Sequence, residues 1–263
     1  MDPVTTMALL WTLFGATHIG LTTRRLREKA VDRLGEGGFT LLFSLISAIA
    51  FSALVVYYAL HRTEGPAGLA LARFDWIRPI GVGLIGMGVA LLAASLVAYR
   101  SSPMALASNE VRPPEGLARI SRHAFFVGLS LFALAHVLLA NFLIGTVFFG
   151  GFAVVSILGA LHQDRKLETR FGRSYTDYLS TTSFVPFAAV LSKRQYIAWR
   201  EIPWLGFATG VAIAFALRSV HGSILDHGGA WFIAATVAGA GAEILQYFVR
   251  RRRVKVEPAA APS

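Results

Sequence analysis

Seven apolar runs alternate with short polar segments along the chain, at residues 4–22, 39–60, 77–99, 121–140, 143–162, 202–218 and 229–249. About 20 apolar residues cross the roughly 30 Å hydrocarbon core of a bilayer as a helix. The pattern therefore predicts an all-α fold, a polytopic transmembrane helical bundle of about seven spans. The fourth and fifth runs are nearly continuous from Phe125 to Leu161. One helix through both would be about 55 Å long at about 1.5 Å per residue, so the chain must fold back, and Asn141 is the expected turn.

Charge gives an independent test of this count, because Lys and Arg concentrate in cytoplasmic loops. Of the 25 basic residues, all but Arg62, Arg73, Arg78 and Arg218 fall in alternate segments. That asymmetry predicts an N-terminus outside and a C-terminus in the cytoplasm. It also accounts for the net charge of +10 without a nucleic-acid partner. With 55% hydrophobic and 15% charged residues, the expected surroundings are membrane lipids, in a multi-pass protein of a bacterial cytoplasmic membrane. The first run starts almost at Met1 with no basic segment before it, and reads as a retained span rather than a removable signal. The chain has no cysteine, which excludes disulfides, a covalently attached c-type haem and thiolate ligation.

Residues 1–249 read as one domain, including a cytoplasmic interfacial loop at 163–201, followed by a basic and then disordered cytoplasmic tail at 250–263. Pro103, Pro113 and Pro114 interrupt any helix in the Arg100–Arg119 loop. In the later loop Leu167, Phe171, Tyr175 and Tyr178 recur at helical spacing, as in a helix lying in the membrane interface or a solvated connector helix. Gly81, Gly83 and Gly86 have the order of a dinucleotide fingerprint but sit inside an apolar helix, where they predict close helix contact, as do Gly206 and Gly210.

Ionisable groups inside such runs are the candidate chemistry. His136 lies deep in the fourth run and His18 in the first. Two imidazoles from different helices can ligate haem iron, and they can equally serve as hydrogen-bonding links between helices. Counting from the nearest Arg cluster, His18 lies roughly 9 Å and His136 roughly 21 Å from the cytoplasmic face, so a shared haem requires tilt. His123 and His162 match His18 better in depth, but both lie at the interface, where a water-facing imidazole is expected. Arg24, Arg25, Arg119 and Arg122 stand where haem propionates would find cations, and also where topology alone would put basic residues. Glu243 is expected to snorkel to the cytoplasmic side. His221, Asp226 and His227 cluster in the last outer loop, and His61 ends the second span.

Two segments carry a family resemblance. T-H-I-G-L-T-T-R-R-L-R-E-K-A-V-D-R-L-G-E-G-G-F-T-L-L-F-S-L-I-S (Thr17–Ser47) and R-I-S-R-H-A-F-F-V-G-L-S-L-F-A-L-A-H-V-L-L-A-N (Arg119–Asn141) resemble the NnrU family. The stretch from D-R-K-L-E-T-R-F-G to T-S-F-V-P-F-A-A-V-L-S-K-R-Q (Asp164–Gln195) is similar to its 15-cis-zeta-carotene isomerase branch. The resemblance implies a membrane haem b protein that isomerises a cis double bond in a long polyene taken from the lipid phase. It implies His18 and His136 as axial ligands and catalytic residues, with Arg24, Arg122 and His123 as further haem-binding candidates. Two positions depart from the pattern: Ala124 replaces a proline after His123, and Ala133 replaces a cysteine three residues before His136. A thiolate ligand is therefore not available, and a non-enzymatic NnrU-type accessory protein linked to denitrification stays open. Arg122-His123 followed by an acidic residue, Phe171-Gly172, Tyr175, Tyr178 and Pro186 also resembles the isoprenylcysteine carboxyl methyltransferase type. There Gln163 and Asp164 occupy the place of paired glutamates, which argues against methyl transfer and for a shared scaffold.

Overall fold

A computed structural model of the chain describes residues 1–99, 102–103 and 110–256, with side chains described to residue 239 and at 241 and 245. Residues 100–101 and 104–109 of the proline-interrupted loop, the Glu243 side chain and residues 257–263 of the tail thus lie outside the described residues. The described chain is helical and holds no strand beyond one isolated bridge. In chain order the helices are α1 (Pro3–Gly20), α2 (Arg24–His61), α3 (Ile77–Ala98), α4 (Leu117–Ile120), α5 (Ala124–Leu139), α6 (Leu143–Phe171), α7 (Arg173–Thr181), α8 (Ala188–Leu191), α9 (Trp204–Ser219) and α10 (Asp226–Val256). Each apolar run of the sequence falls on one long helix. Three of them, α2, α3 and α6, are long and apolar enough to cross a membrane, and α5 and α9 are shorter apolar helices.

Contacts divide the chain into two compact units. The first comprises residues 5–61 and 223–263 with Met1, and the second residues 2–4 and 62–222. In the first unit α2 packs along α10. Gly35 interrupts α2 with φ 69 and ψ 167, a conformation open to glycine, and separates its charged start from its apolar body. Gly229 lies so close to Val55 that an added Cβ would fall 2.5 Å from a valine methyl.

In the second unit α3 is the central helix, flanked by α5 and α9. The small residues expected at helix contacts supply the approach. A Cβ on Gly88 would sit 2.7 Å from the backbone nitrogen of Phe132 and 2.8 Å from the carbonyl oxygen of Gly128. One on Gly210 would sit 2.5 Å from Cα of Ala90, and one on Gly206 2.7 Å from Cα of Ala94. Of the glycines in the fingerprint-like order, Gly81 meets Leu139 while Gly83 meets nothing within 4 Å. The obstruction at Gly88 is backbone rather than a movable side chain, so Gly88→Ala is expected to destabilise the unit by about 1–3 kcal/mol. A thermal melt of the purified variant checks this, and Gly83→Ala, with open space for its methyl and a gain in helix propensity, should not lower the midpoint.

The reversal between α5 and α6 falls at Asn141, as the length argument requires. The loop before α3 pairs with it: Gly68 N–H donates to the Asn141 carbonyl (2.9 Å), Ala70 N–H to that of Ala140 (2.9 Å) and Leu143 N–H to that of Pro66 (2.8 Å). These bonds satisfy backbone groups that the turn leaves outside either helix. Helix α6, at about 1.5 Å per residue, is about 43 Å long and outruns a roughly 30 Å hydrocarbon core. Its polar end carries Asp164 and Leu167 and stops at Gly172 (φ 54). The aromatic stripe beyond therefore does not form one interfacial helix. It is split between α6 and α7, and Leu167, Tyr175 and Tyr178 pack with each other and with Val111, Phe171 and Leu179 as a buried cluster.

Candidate functional site

His136 stands in the last turn of α5. Its Nδ1 lies 2.8 Å from the Phe132 carbonyl oxygen. A carbonyl only accepts, so Nδ1 carries the proton, and the neutral ring keeps its lone pair on Nε2. Aromatic rings hold the imidazole: Phe149 of α6 is stacked on it at 4.2 Å and 17°, and Phe132 lies at 4.3 Å. His221, just past α9, presents a near-parallel ring 6.4 Å away. The end of α5, the start of α6 and the residues after α9 thus meet around His136.

His18, in the first unit, stands near the end of α1. Its Nδ1 is 3.0 Å from Ser47 Oγ of α2, and its ring lies between Phe14 (5.0 Å, 13°) and Phe43 (5.1 Å, 35°). Both histidines have Nδ1 engaged by a neighbour, the arrangement that orients an imidazole for ligation through Nε2.

A second polar centre forms where α5 begins. Asp164 Oδ1 accepts from His123 Nε2 (2.7 Å) and the Tyr175 hydroxyl (2.6 Å), while Oδ2 accepts from Arg122 Nη2 (2.7 Å) and Nε (3.1 Å). The Arg122 and Asp164 side chains are only 14% and 13% exposed, so this ion pair is largely removed from water. His123 is not water-facing, as its place in the sequence suggested, but 1% exposed. The correction has a local cause. Ser121 donates to the Phe184 carbonyl (2.7 Å) and Arg122 N–H to that of Ser183 (2.9 Å), turning residues 121–123 into the protein, where Phe126 and Phe184 flank the imidazole. Burial alone would raise the Asp164 carboxyl, but hydrogen bonds from His123, Arg122 and Tyr175 outweigh it and hold the carboxyl well below the usual range. Burial, then the bond to Asp164, pushes the Tyr175 phenol up.

This depression has a pH consequence. An acid whose folded pKa is lowered contributes stability above its unfolded pKa and loses it as pH falls toward the folded value. Unfolding of the detergent-solubilised protein should therefore become easier below about pH 4, and Asp164→Asn should flatten that limb. Thermal midpoints measured between pH 7 and pH 3 check this.

The other basic candidates are engaged elsewhere. Arg24 pairs with Glu28 at the surface (2.9 Å). Arg119 binds Glu201 through Nε and Nη2 and Gln195 through Nη1, and its guanidinium lies 4.4 Å from the Tyr196 ring centre. His162 is half-buried on α6. No group of three or more His, Cys, Asp or Glu side chains placed to hold a metal ion occurs among the described residues.

The sequence profile of the NnrU protein family matches residues 6–227, a stretch that contains both histidines and the whole Arg122–Asp164–Tyr175 centre. The chain belongs to the NnrU family. Among curated relatives, this NnrU chain is 29% identical over 239 residues to the chloroplastic 15-cis-zeta-carotene isomerase of Arabidopsis thaliana, an alignment covering 84% of this chain and 62% of the relative. It is 28% identical over 199 residues to the chloroplastic 15-cis-zeta-carotene isomerase of Zea mays, covering 72% of this chain and 51% of that one. The chain thus spans about half to three-fifths of the length of these relatives. No solved structure matches it.

Within the NnrU family region, Arg122 and His123 were legible as candidates and Asp164 and Tyr175 only as parts of a scaffold pattern. The available signal was an acidic residue eleven positions before the first tyrosine of F-G-x-x-Y-x-x-Y. Helical continuation through residue 171 and the break at Gly172 bring the two together.

Proposed function

We propose that this NnrU chain is a multi-pass membrane protein that binds haem b and isomerises a cis double bond in a long polyene such as 15-cis-zeta-carotene. It would cross the membrane seven times, with an outside N-terminus and a cytoplasmic C-terminus. The similarity to two 15-cis-zeta-carotene isomerases supports the reaction class. The observation that carries the haem is the His136 imidazole, with its proton fixed on Nδ1 by the Phe132 carbonyl and Nε2 left with the lone pair that iron requires. His18, braced by Ser47, is the second ligand that the family resemblance implies. Both rings sit among phenylalanines, which suits a porphyrin and a hydrocarbon substrate.

When bound, haem iron supplies a redox-active centre that can transiently lower the order of a conjugated double bond beside it. The chain's own share is position. The Phe132 carbonyl and the Phe149 ring fix the plane of His136, and apolar helices admit the polyene from lipid while water stays out. Isomerisation leaves the atom count unchanged, so no leaving group or proton acceptor is needed. Asp164 acts in the fold: five contacts from His123, Tyr175 and Arg122 occupy its oxygens, leaving it little capacity toward a methyl donor. That favours isomerisation over methyl transfer.

Ala133, which stands where the isomerase pattern has a cysteine, favours one second reading, a haem-binding accessory protein without isomerase activity. The absorption spectrum of protein purified from haem-sufficient cells tests the cofactor. A Soret band with b-type pyridine haemochrome supports it, and active but haem-free protein overturns it. Saturable S-adenosylmethionine binding without haem would point instead to methyl transfer.

A further inference from the structure

We infer that the first part of α2, residues 24–34, is an interfacial helix that docks on the anionic lipid surface of the bilayer, with Arg25, Lys29 and Arg33 as its headgroup contacts. The inference rests on the multi-pass reading proposed above. Helix α2 has 38 residues, about twice what a span needs, and Gly35 breaks its helical geometry (φ 69, ψ 167). The segment before the break is therefore not bound to the line of the spanning body. Its start is tied to the end of α1 by a compact turn, in which Thr22 N–H donates to the Ile19 carbonyl (3.2 Å) and Thr23 N–H to that of Gly20 (3.0 Å). Helices α1 and α2 run antiparallel, because His18 meets Ser47 while Phe14 meets Phe51. Residue 24 thus stands level with the beginning of the α2 body, to which residue 35 connects. A helix over residues 24–34, about 16 Å long and with both ends at one level, lies along the membrane face rather than projecting from it.

Around that axis the side chains sort by chemistry. At about 100° per residue, Leu26, Ala30 and Leu34 form one stripe, and Glu28 and Asp32 stand on the face opposite it. Arg25, Lys29 and Arg33 form a parallel stripe on the boundary between the two. Leu26 and Leu34 are 51% and 50% exposed, so the described chain leaves the apolar stripe open. The protein body engages a different side, where Arg27 binds Glu36 (2.7 Å) and lies over the Phe39 ring. Arg24 takes Glu28 (2.9 Å), which leaves Arg25, Lys29 and Arg33 as a row of exposed cations. Leucines sunk at the acyl boundary, acids toward water and cations along the edge between them describe a helix lying on a bilayer. From that edge the long Arg and Lys stems reach the lipid phosphates, and three cations in a row favour lipids of net negative charge over zwitterionic ones.

The absence of cysteine makes a clean test, because one introduced thiol takes one fluorescent label. Full-length Leu26→Cys, Leu34→Cys, Asp32→Cys and Ile49→Cys are labelled and reconstituted in liposomes of phosphatidylcholine and phosphatidylglycerol. Quenching is measured with aqueous iodide and with lipids carrying a nitroxide near the headgroup. Ile49, 62% exposed in the body of α2, is the control for a lipid-facing span. Labels at 26 and 34 should be quenched by the lipid nitroxide and shielded from iodide, with the label at 32 showing the reverse. Nitroxide phosphatidylglycerol should quench the label at 26 about twofold more than nitroxide phosphatidylcholine at equal content, and the combined change Arg25→Gln, Lys29→Gln and Arg33→Gln should abolish that preference.

Iodide quenching at 26 and 34 equal to that at 32, beside a lipid-shielded label at 49, overturns the inference and leaves the multi-pass reading intact. Equal quenching by the two nitroxide lipids overturns the assignment of an anionic surface. Labels at 26 and 34 shielded from both quenchers would mean that protein, such as a second copy of the chain, covers the stripe, and that also overturns it. A label at 49 open to iodide and untouched by lipid nitroxide would bring down the multi-pass reading itself.

Discussion

His136→Ala is expected to lower the haem content of the purified protein at least tenfold, with the helical signal retained. The histidine is the one group in α5 that can ligate iron, and its Nδ1–H is already committed to the Phe132 carbonyl, so the lone pair on Nε2 has no competing protein partner to replace it. Alanine at this position also suits helix propensity, and the ring it removes is stacked on Phe149 rather than wedged into a backbone contact. The structural loss is therefore modest, while the chemical loss is total. Haem per protein, from the pyridine haemochrome of equal amounts of each variant, measures it. Addition of imidazole to His136→Ala should restore part of the Soret band, which a folding defect would not allow. Full haem content in the variant would move the ligand elsewhere.

Asp164→Ala should be the most destabilising single change in the second unit. It strands the Arg122 guanidinium, 14% exposed, with no counter-ion, and takes the acceptor from His123 and Tyr175 together. Removing one member of a buried ion pair costs about 3–5 kcal/mol, because the remaining charge stays desolvated. Asp164→Asn keeps an acceptor for Tyr175 and should cost less. The double change Arg122→Met with Asp164→Leu removes both charges and should recover part of the loss, since buried pairs are often replaceable by apolar side chains. Thermal unfolding midpoints in detergent rank the three. Haem content should hold in whichever variants stay folded, because the Asp164 centre lies at the opposite end of α5 from His136.

What the sequence disclosed follows the range of the forces involved. The long helices were legible because apolar runs report solvent directly, and the turn at Asn141 because no single helix of the combined length suits a bilayer. Gly206 and Gly210 were legible as contact positions, since glycine lets two backbones approach closely, but not which helix they meet, and Gly88, the tightest contact to α5, was not singled out. Gly83 belongs to the same pattern and touches nothing, so spacing alone does not tell a contact from an exposed position. His123 was misplaced at the water because local context favours it there. Its burial depends on Asp164, 41 residues away, and on backbone bonds to Ser183 and Phe184 that no side-chain pattern signals. The Leu167–Tyr175–Tyr178 stripe was visible, but not the bend at Gly172 that turns it inward. The pairing of residues 66–70 with the Asn141 turn was not legible at all, because it is made by main-chain groups indifferent to side chain. His221 drew notice only as one of several polar residues in a loop, and its closeness to His136 depends on how α5 and α9 both pack on α3.

Conversion itself is the most direct measurement. Full-length protein with its haem is reconstituted into liposomes containing 15-cis-zeta-carotene in the dark, and the isomers are separated by chromatography over time. Haem-loaded wild type should shift the isomer ratio toward the all-trans configuration of the 15 bond, with haem-free protein and His136→Ala matching empty liposomes. An unchanged ratio beside a full Soret band would contradict isomerase function and leave a haem-binding accessory protein.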